Sequence, residues 1–323
     1  MPAGHHCTSP EAFERWSVKR KALKRKKGQA FDTLRSALCI LRFAFDGCAS
    51  TLFAGAITVR PNTLQSIWKE GKTVVNGWCA IPNSWSAEVM ANAGWDSLTL
   101  DLQHGLLDYT TAVPMLQAIS TTDVIPLARV PWNEPGIIMK LLDAGAYGII
   151  CPMINTKEEC EKFVGACRYA PRGYRSSGPT RASVYARESD YQSYANNAIL
   201  TFAMVETAEA VQNVEQIVSV PGLNGVYVGP SDLSLSMGDK PHPDLREPKY
   251  VAVLDRIAAA CKANGVIAGI HCNSVEYAQF IAGRGYQFTT LRSDGAILAT
   301  AASQMVKAMR GEQGASAGDA KLY

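Results

Sequence analysis

The stretch VIPLARVPWNEPGIIMKLLDAGAYGIIC, residues 124–151, contains one complete structural repeat. An aliphatic run over 124–129 ends in Arg129, a turn containing Pro and Asn follows, and 135–143 carries apolar residues at helical spacing. Gly145 then breaks the pattern and a second apolar run occupies 148–151. Strand, helix and strand in this order predict a parallel βαβ unit, because parallel neighbours need a crossover long enough to hold a helix. Neither apolar run alternates with polar residues, which is the pattern of strands covered on both faces.

The same unit recurs on both sides. Strands are expected at 74–79, 97–101, 124–129, 148–151, 199–205, 225–228, 266–270 and 287–290, and helices at 85–93, 109–119, 135–143, 157–166, 208–218, 250–263, 275–282 and 296–309. Ser84, Thr207 and Ser274 supply helix start signals. Eight strand-helix units favour an α/β (β/α)8 TIM barrel over an open doubly wound sheet. A dinucleotide-binding sheet would also show a glycine-rich turn after its first strand, where residues 80–88 read AIPNSWSAE.

The chain has 323 residues and is 47% hydrophobic, enough for a large core and too apolar for a disordered protein. Its net charge of +3 conceals an asymmetry: residues 1–60 hold 11 Lys and Arg against 4 Asp and Glu, leaving 21 against 25 for the rest. The mildly acidic body gives no sign of nucleic-acid binding. Residues 19–27, KRKALKRKK, precede an apolar stretch at 37–58 that Arg42 and Asp46 interrupt. An accessory extension, a targeting segment and a structural helix are all compatible with this stretch; stable membrane insertion is not expected. The expected division is a basic and apolar extension over 1–60, the barrel over 61–311 and a tail over 312–323. Nine cysteines without a C-x-x-C pair point to reduced, mostly buried thiols and a cytoplasmic protein.

In a barrel the functional groups collect where strands end. The expected strand ends deliver Asp101, His104, Arg129, Glu206 and Asp232. Each carboxylate alone would serve as a helix cap, but Glu206 and Asp232 together offer oxygen ligands to a divalent metal with open positions for substrate. The G-P-S-D run at 229–232 places amides around Ser231 at a helix start, suited to a substrate carboxylate. Arg129 can donate to a keto or enolate oxygen. His104 is a candidate base with Asp143 to orient it, and His271, also at a strand end, is a candidate for the substrate pocket. No lysine ends an expected strand, which argues against a Schiff-base mechanism. The polar segment 171–197 is expected as a long loop over a site or interface.

The motifs LDLQHG (100–105), ARVPWN (128–133), LLDAGAYGIICPMI (141–154), VETAEA (205–210) and YVGPSDLSLSMG (227–238) resemble those of class II pyruvate aldolases of the HpcH/HpaI type. The resemblance implies a pyruvate-binding (β/α)8 barrel, assembled as a homo-oligomer, commonly a hexamer that exchanges its last helix. It implies reversible cleavage of a 4-hydroxy-2-oxo acid to pyruvate, or a related 2-oxo acid, and an aldehyde, with Mg2+, Mn2+ or Co2+, as in the breakdown of aromatic or sugar acids. Position by position it gives Glu206 and Asp232 to the metal, and Arg129 to the keto oxygen. His104 with Asp143 falls to acid–base transfer, Gly229 and Ser231 to the carboxylate, Trp78 to the pocket wall and Asp101 to a place near metal waters. Gln103 and Met204 stand where the family often has Glu and Gln. Alternatives on the same barrel are oxaloacetate decarboxylation, CoA-ester cleavage and keto-acid binding without turnover.

Overall fold

The structure is a computed structural model and describes residues 59–311. The extension expected over 1–60, apart from its last two residues, and the tail expected over 312–323 lie outside the described residues. Strands β1 (Val74–Cys79), β2 (Ser97–Asp101), β3 (Ile125–Arg129), β4 (Gly148–Cys151), β5 (Leu200–Val205), β6 (Gly225–Val228), β7 (Ile267–Cys272) and β8 (Phe288–Ser293) form a closed parallel barrel in sequence order. The barrel closes through β1 and β8, with Asn76 level with Thr290. This is the expected (β/α)8 barrel.

Among the described residues the helices are α1 (Leu64–Lys69), α2 (Ser84–Ala91), α3 (Tyr109–Ile119), α4 (Pro135–Asp143), α5 (Lys157–Cys167), α6 (Thr180–Ala186), α7 (Tyr191–Ala198), α8 (Ala208–Gln212), α9 (Val214–Val218), α10 (Pro230–Ser236), α11 (Pro248–Ala263), α12 (Val275–Ala282) and α13 (Asp294–Met309). Thr207 and Ser274 cap α8 and α12 through their side chains, as expected, whereas α2 is capped by Asn83, one residue before Ser84. The single helix expected at 208–218 is two short ones separated by Asn213.

Side chains from the strands fill the barrel. At its amino-terminal end Phe202 and Phe288 lie 4.9 Å apart between ring centres, and Trp68 of α1 closes over both. Above them lies a polar layer built around Asn76, Tyr227 and Thr290. The segment 171–197 is not a bare loop. It holds α6 and α7 and connects α5 to β5, so it lies at the amino-terminal end of the barrel, away from the mouth of its own chain. The six described cysteines, at positions 79, 151, 160, 167, 261 and 272, are buried free thiols, as expected for these six. No described helix is long and apolar enough to cross a membrane.

Candidate active site

Asp101 ends β2 and Arg129 ends β3, and parallel register sets them side by side. Arg129 Nε donates to Asp101 Oδ1 at 2.8 Å and the terminal Nη2 to Oδ2 at 2.7 Å, a bidentate pair inside the barrel. Asp101 also accepts from Trp78 Nε1 at 3.1 Å and from the amides of Gln103 and His104 at 3.1 and 3.3 Å. Burial pushes this carboxyl up, but the hydrogen bonds and charge of Arg129, with the Trp78 and His104 donors, hold it below its ordinary value. With five donors on its two oxygens and 1% exposure, Asp101 is engaged in positioning Arg129.

Trp78 underlies this pair. The Arg129 guanidinium lies 4.8 Å from the indole centre, Tyr227 stacks on the indole at 5.8 Å and His271 meets it edge-on at 5.4 Å. Trp78 is thus packed between the Asp101–Arg129 pair and the Tyr227 and His271 rings.

Glu206 follows β5 directly and is 1% exposed. Its Oε1 accepts from the Met153 amide at 2.8 Å, and Met153 takes φ 56° in the turn after β4. Its Oε2 lies 2.3 Å from where a Cβ on Gly229 would stand, so only glycine admits the carboxylate at that position. Burial raises the Glu206 carboxyl to about 7, the like charge of Asp232 adds to the rise, and the Met153 hydrogen bond and Arg129 oppose it. Met204 gives the same corner an apolar flank, its Cε 3.2 Å from the missing Cβ of Gly229. Asp232 is exposed in the first turn of α10, and Ser231 beside it is half-buried.

A divalent cation fits this corner. A buried carboxylate that feels the charge of a second one is relieved by a positive charge, and both offer the oxygen donors that hard cations take. Among the described residues no group of three or more His, Cys, Asp or Glu side chains could hold a metal, so water and substrate oxygens would complete the coordination. That is the open arrangement a catalytic ion needs.

His104 is exposed on the loop after β2. Its expected pairing with Asp143 is not made within the chain. Asp143 is the last residue of α4, which runs back toward the start of β4, so it stands at the opposite end of the barrel. There it pairs with the buried Arg175 at 2.6 Å. Sequence reasoning missed Met153, whose left-handed backbone no residue type announces, and the pairing of Tyr227 with His271, whose Oη and Nδ1 lie 3.2 Å apart.

The sequence model of the HpcH/HpaI aldolase/citrate lyase family matches residues 75–301. A hydroxypyruvate/pyruvate aldolase from Rhizorhabdus wittichii is 39% identical over 245 residues, covering 76% of this chain and 97% of its own. A 5-keto-4-deoxy-D-glucarate aldolase from Escherichia coli is 33% identical over 251 residues, covering 76% and 96%. Among solved structures, an HpcH/HpaI aldolase/citrate lyase family protein from Burkholderia cenocepacia superposes with a TM-score of 0.72 at 30% identity, covering 77% of this chain and 99% of that one. The barrel, its carboxylate and arginine mouth and these matches agree: the chain belongs to the HpcH/HpaI aldolase/citrate lyase family and is an aldolase, a carbon–carbon lyase.

Proposed function

We propose that the protein cleaves a 4-hydroxy-2-oxo acid reversibly into pyruvate or a related 2-oxo acid and an aldehyde, using a divalent metal of the Mg2+, Mn2+ or Co2+ kind. The observation that carries this reading is the buried Glu206 carboxylate, held by the Met153 amide within electrostatic reach of Asp232 and Arg129. Glu206 and Asp232 would hold the ion. When bound, it supplies Lewis-acid polarisation of the 2-oxo acid. Arg129, held by Asp101, donates to the keto oxygen and offsets the negative charge that gathers there as the C3–C4 bond breaks. The amides around Gly229 and Ser231 open the first turn of α10 and receive the carboxylate. Trp78 walls the pocket.

His104 takes the proton of the C4 hydroxyl. Because Asp143 stands at the far end of its own barrel, its pairing with His104 requires two copies of the chain. Assembly is supported independently by α13, which buries only Asp294 and Ala296 and leaves Leu298, Met305 and Met309 at 63%, 66% and 89% exposure. We read this helix as the element exchanged in a homo-oligomer, a hexamer by resemblance. Buried free thiols suit a reducing, cytoplasmic setting.

The test is pyruvate release from 4-hydroxy-2-oxo acids before and after metal stripping, with Glu206→Gln as control and oxaloacetate as a parallel substrate. Release restored by metal and absent in the variant supports the aldolase. Release from oxaloacetate alone would replace it with a decarboxylase.

A further inference from the structure

Below the mouth runs a chain of buried hydroxyls and amides that the aldol reaction does not by itself require. Ser97 and Thr99 sit beside Asn76 Oδ1 at 2.8 and 3.1 Å, and both can donate to it. That leaves Asn76 Nδ2 to donate to Thr290 Oγ1 at 2.9 Å. Tyr227 belongs to the same buried layer, and its hydroxyl lies 3.2 Å from His271 Nδ1. The Tyr227 hydroxyl can donate its proton to His271 Nδ1. A neutral imidazole that accepts at Nδ1 carries its hydrogen on Nε2. Burial and the nearby Arg129 push the His271 pKa down to about 4, which keeps it in this neutral form.

The donor so fixed has a defined place. His271 is only half-buried, ends near the mouth on β7, and shows no hydrogen bond from Nε2 among the described residues. Its ring abuts Trp78, the same indole that carries the Arg129 guanidinium. The group that receives the keto oxygen and the free imidazole N–H therefore border one aromatic plate. On a 2-oxo acid, the keto carbon and C3 are neighbours.

We propose that His271 Nε2–H donates to a hydroxyl on C3 of the 2-oxo acid, making the site prefer a 3-hydroxy-2-oxo acid over pyruvate as the enolate-forming partner. The inference rests on the aldolase reading and deepens it. His271 is the specificity-determining residue, and Tyr227 is the positioning residue that sets its tautomer.

The experiment compares kcat/KM for hydroxypyruvate and for pyruvate in aldol addition to one common aldehyde, using the full chain loaded with Mg2+ or Mn2+. The ratio of the two is expected to fall about 10-fold or more in His271→Leu, since a site built to hydrogen-bond a hydroxyl discriminates through that contact. His271→Gln, which keeps an N–H donor, should recover part of the ratio. Tyr227→Phe should lower it while retaining the aromatic ring beside Trp78. A ratio within about twofold of wild type in His271→Leu overturns the proposal, whatever happens to the absolute rates. Failure of the aldolase reading looks different: wild type then makes no metal-dependent product from either acid. The comparison is in that case made on the dissociation constants of the two acids for the metal-loaded protein by calorimetry, and an unchanged ratio in His271→Leu again overturns it.

Discussion

Asp101 and Arg129 end adjacent strands at the same register position and meet through two parallel hydrogen bonds of 2.8 and 2.7 Å. The pair is buried, with side-chain exposures of 11% for Arg129 and 1% for Asp101, so neither charge has water to fall back on. Removing Asp101 would leave the guanidinium unpaired inside the barrel. Asp101→Ala is expected to cost about 3–5 kcal/mol in denaturant unfolding, with a loss of kcat that exceeds the change in KM. Asp101→Asn, which can still accept from Trp78 or one arginine nitrogen, should cost less; equal stability of Asp101→Ala and wild type would contradict this account.

Gly229 and Glu206 make the second constraint. A methyl group at residue 229 would stand 2.3 Å from Glu206 Oε2, inside any allowed contact, and must push the carboxylate aside. Gly229→Ala is therefore expected to weaken metal binding about 10- to 100-fold, the scale seen when a ligand's orientation is lost. Calorimetric titration with Mn2+ measures this directly, and unchanged affinity would remove the ion from this corner.

The Glu206 carboxyl, raised from 4.5 to about 7, binds its proton more tightly in the folded chain than in the unfolded one. Its contribution to stability is complete below the unfolded value and is lost as pH rises through about 7. In the metal-free protein this group alone should remove about 3 kcal/mol between pH 5 and pH 8. Glu206→Gln should flatten that part of the profile. Stabilisation by added Mg2+ should grow over the same interval, because the ion competes with the proton.

The proposed sharing of His104 and Asp143 between copies is tested by complementation. His104→Ala and Asp143→Ala are each expected to be nearly inactive as pure assemblies. Dissociated together and reassembled, they should regain activity, because some mouths then receive an intact histidine from one copy and an intact aspartate from another. No recovery, in mixtures shown by mass spectrometry to contain both chains, would leave Asp143 with only its structural partner Arg175.

How far the sequence reaches can be read from particular residues. The apolar runs and intervening helical spacings place eight strands within a few residues of where they lie, since alternating periodicity is a local property. Arg129, Glu206 and Asp232 are legible as mouth residues because chain order alone assigns strand ends to that face. The same rule already separates His104, after a strand, from Asp143, at the end of a helix, although their motif neighbourhood invites pairing them. It also sends 171–197 to the opposite end of the barrel.

The sequence by itself determined the repeating unit, the closure into a barrel and the residues delivered to the mouth, because these follow from local patterns and chain order. Only the tertiary structure decided that Asp101 is occupied by Arg129, that Met153 turns its amide onto Glu206, and that Gly229 yields space to that carboxylate. It likewise brought the Tyr227 hydroxyl to His271 Nδ1. Each of these joins residues from different strands or loops, and their distances and protonation are set by burial and mutual contact that no single segment encodes.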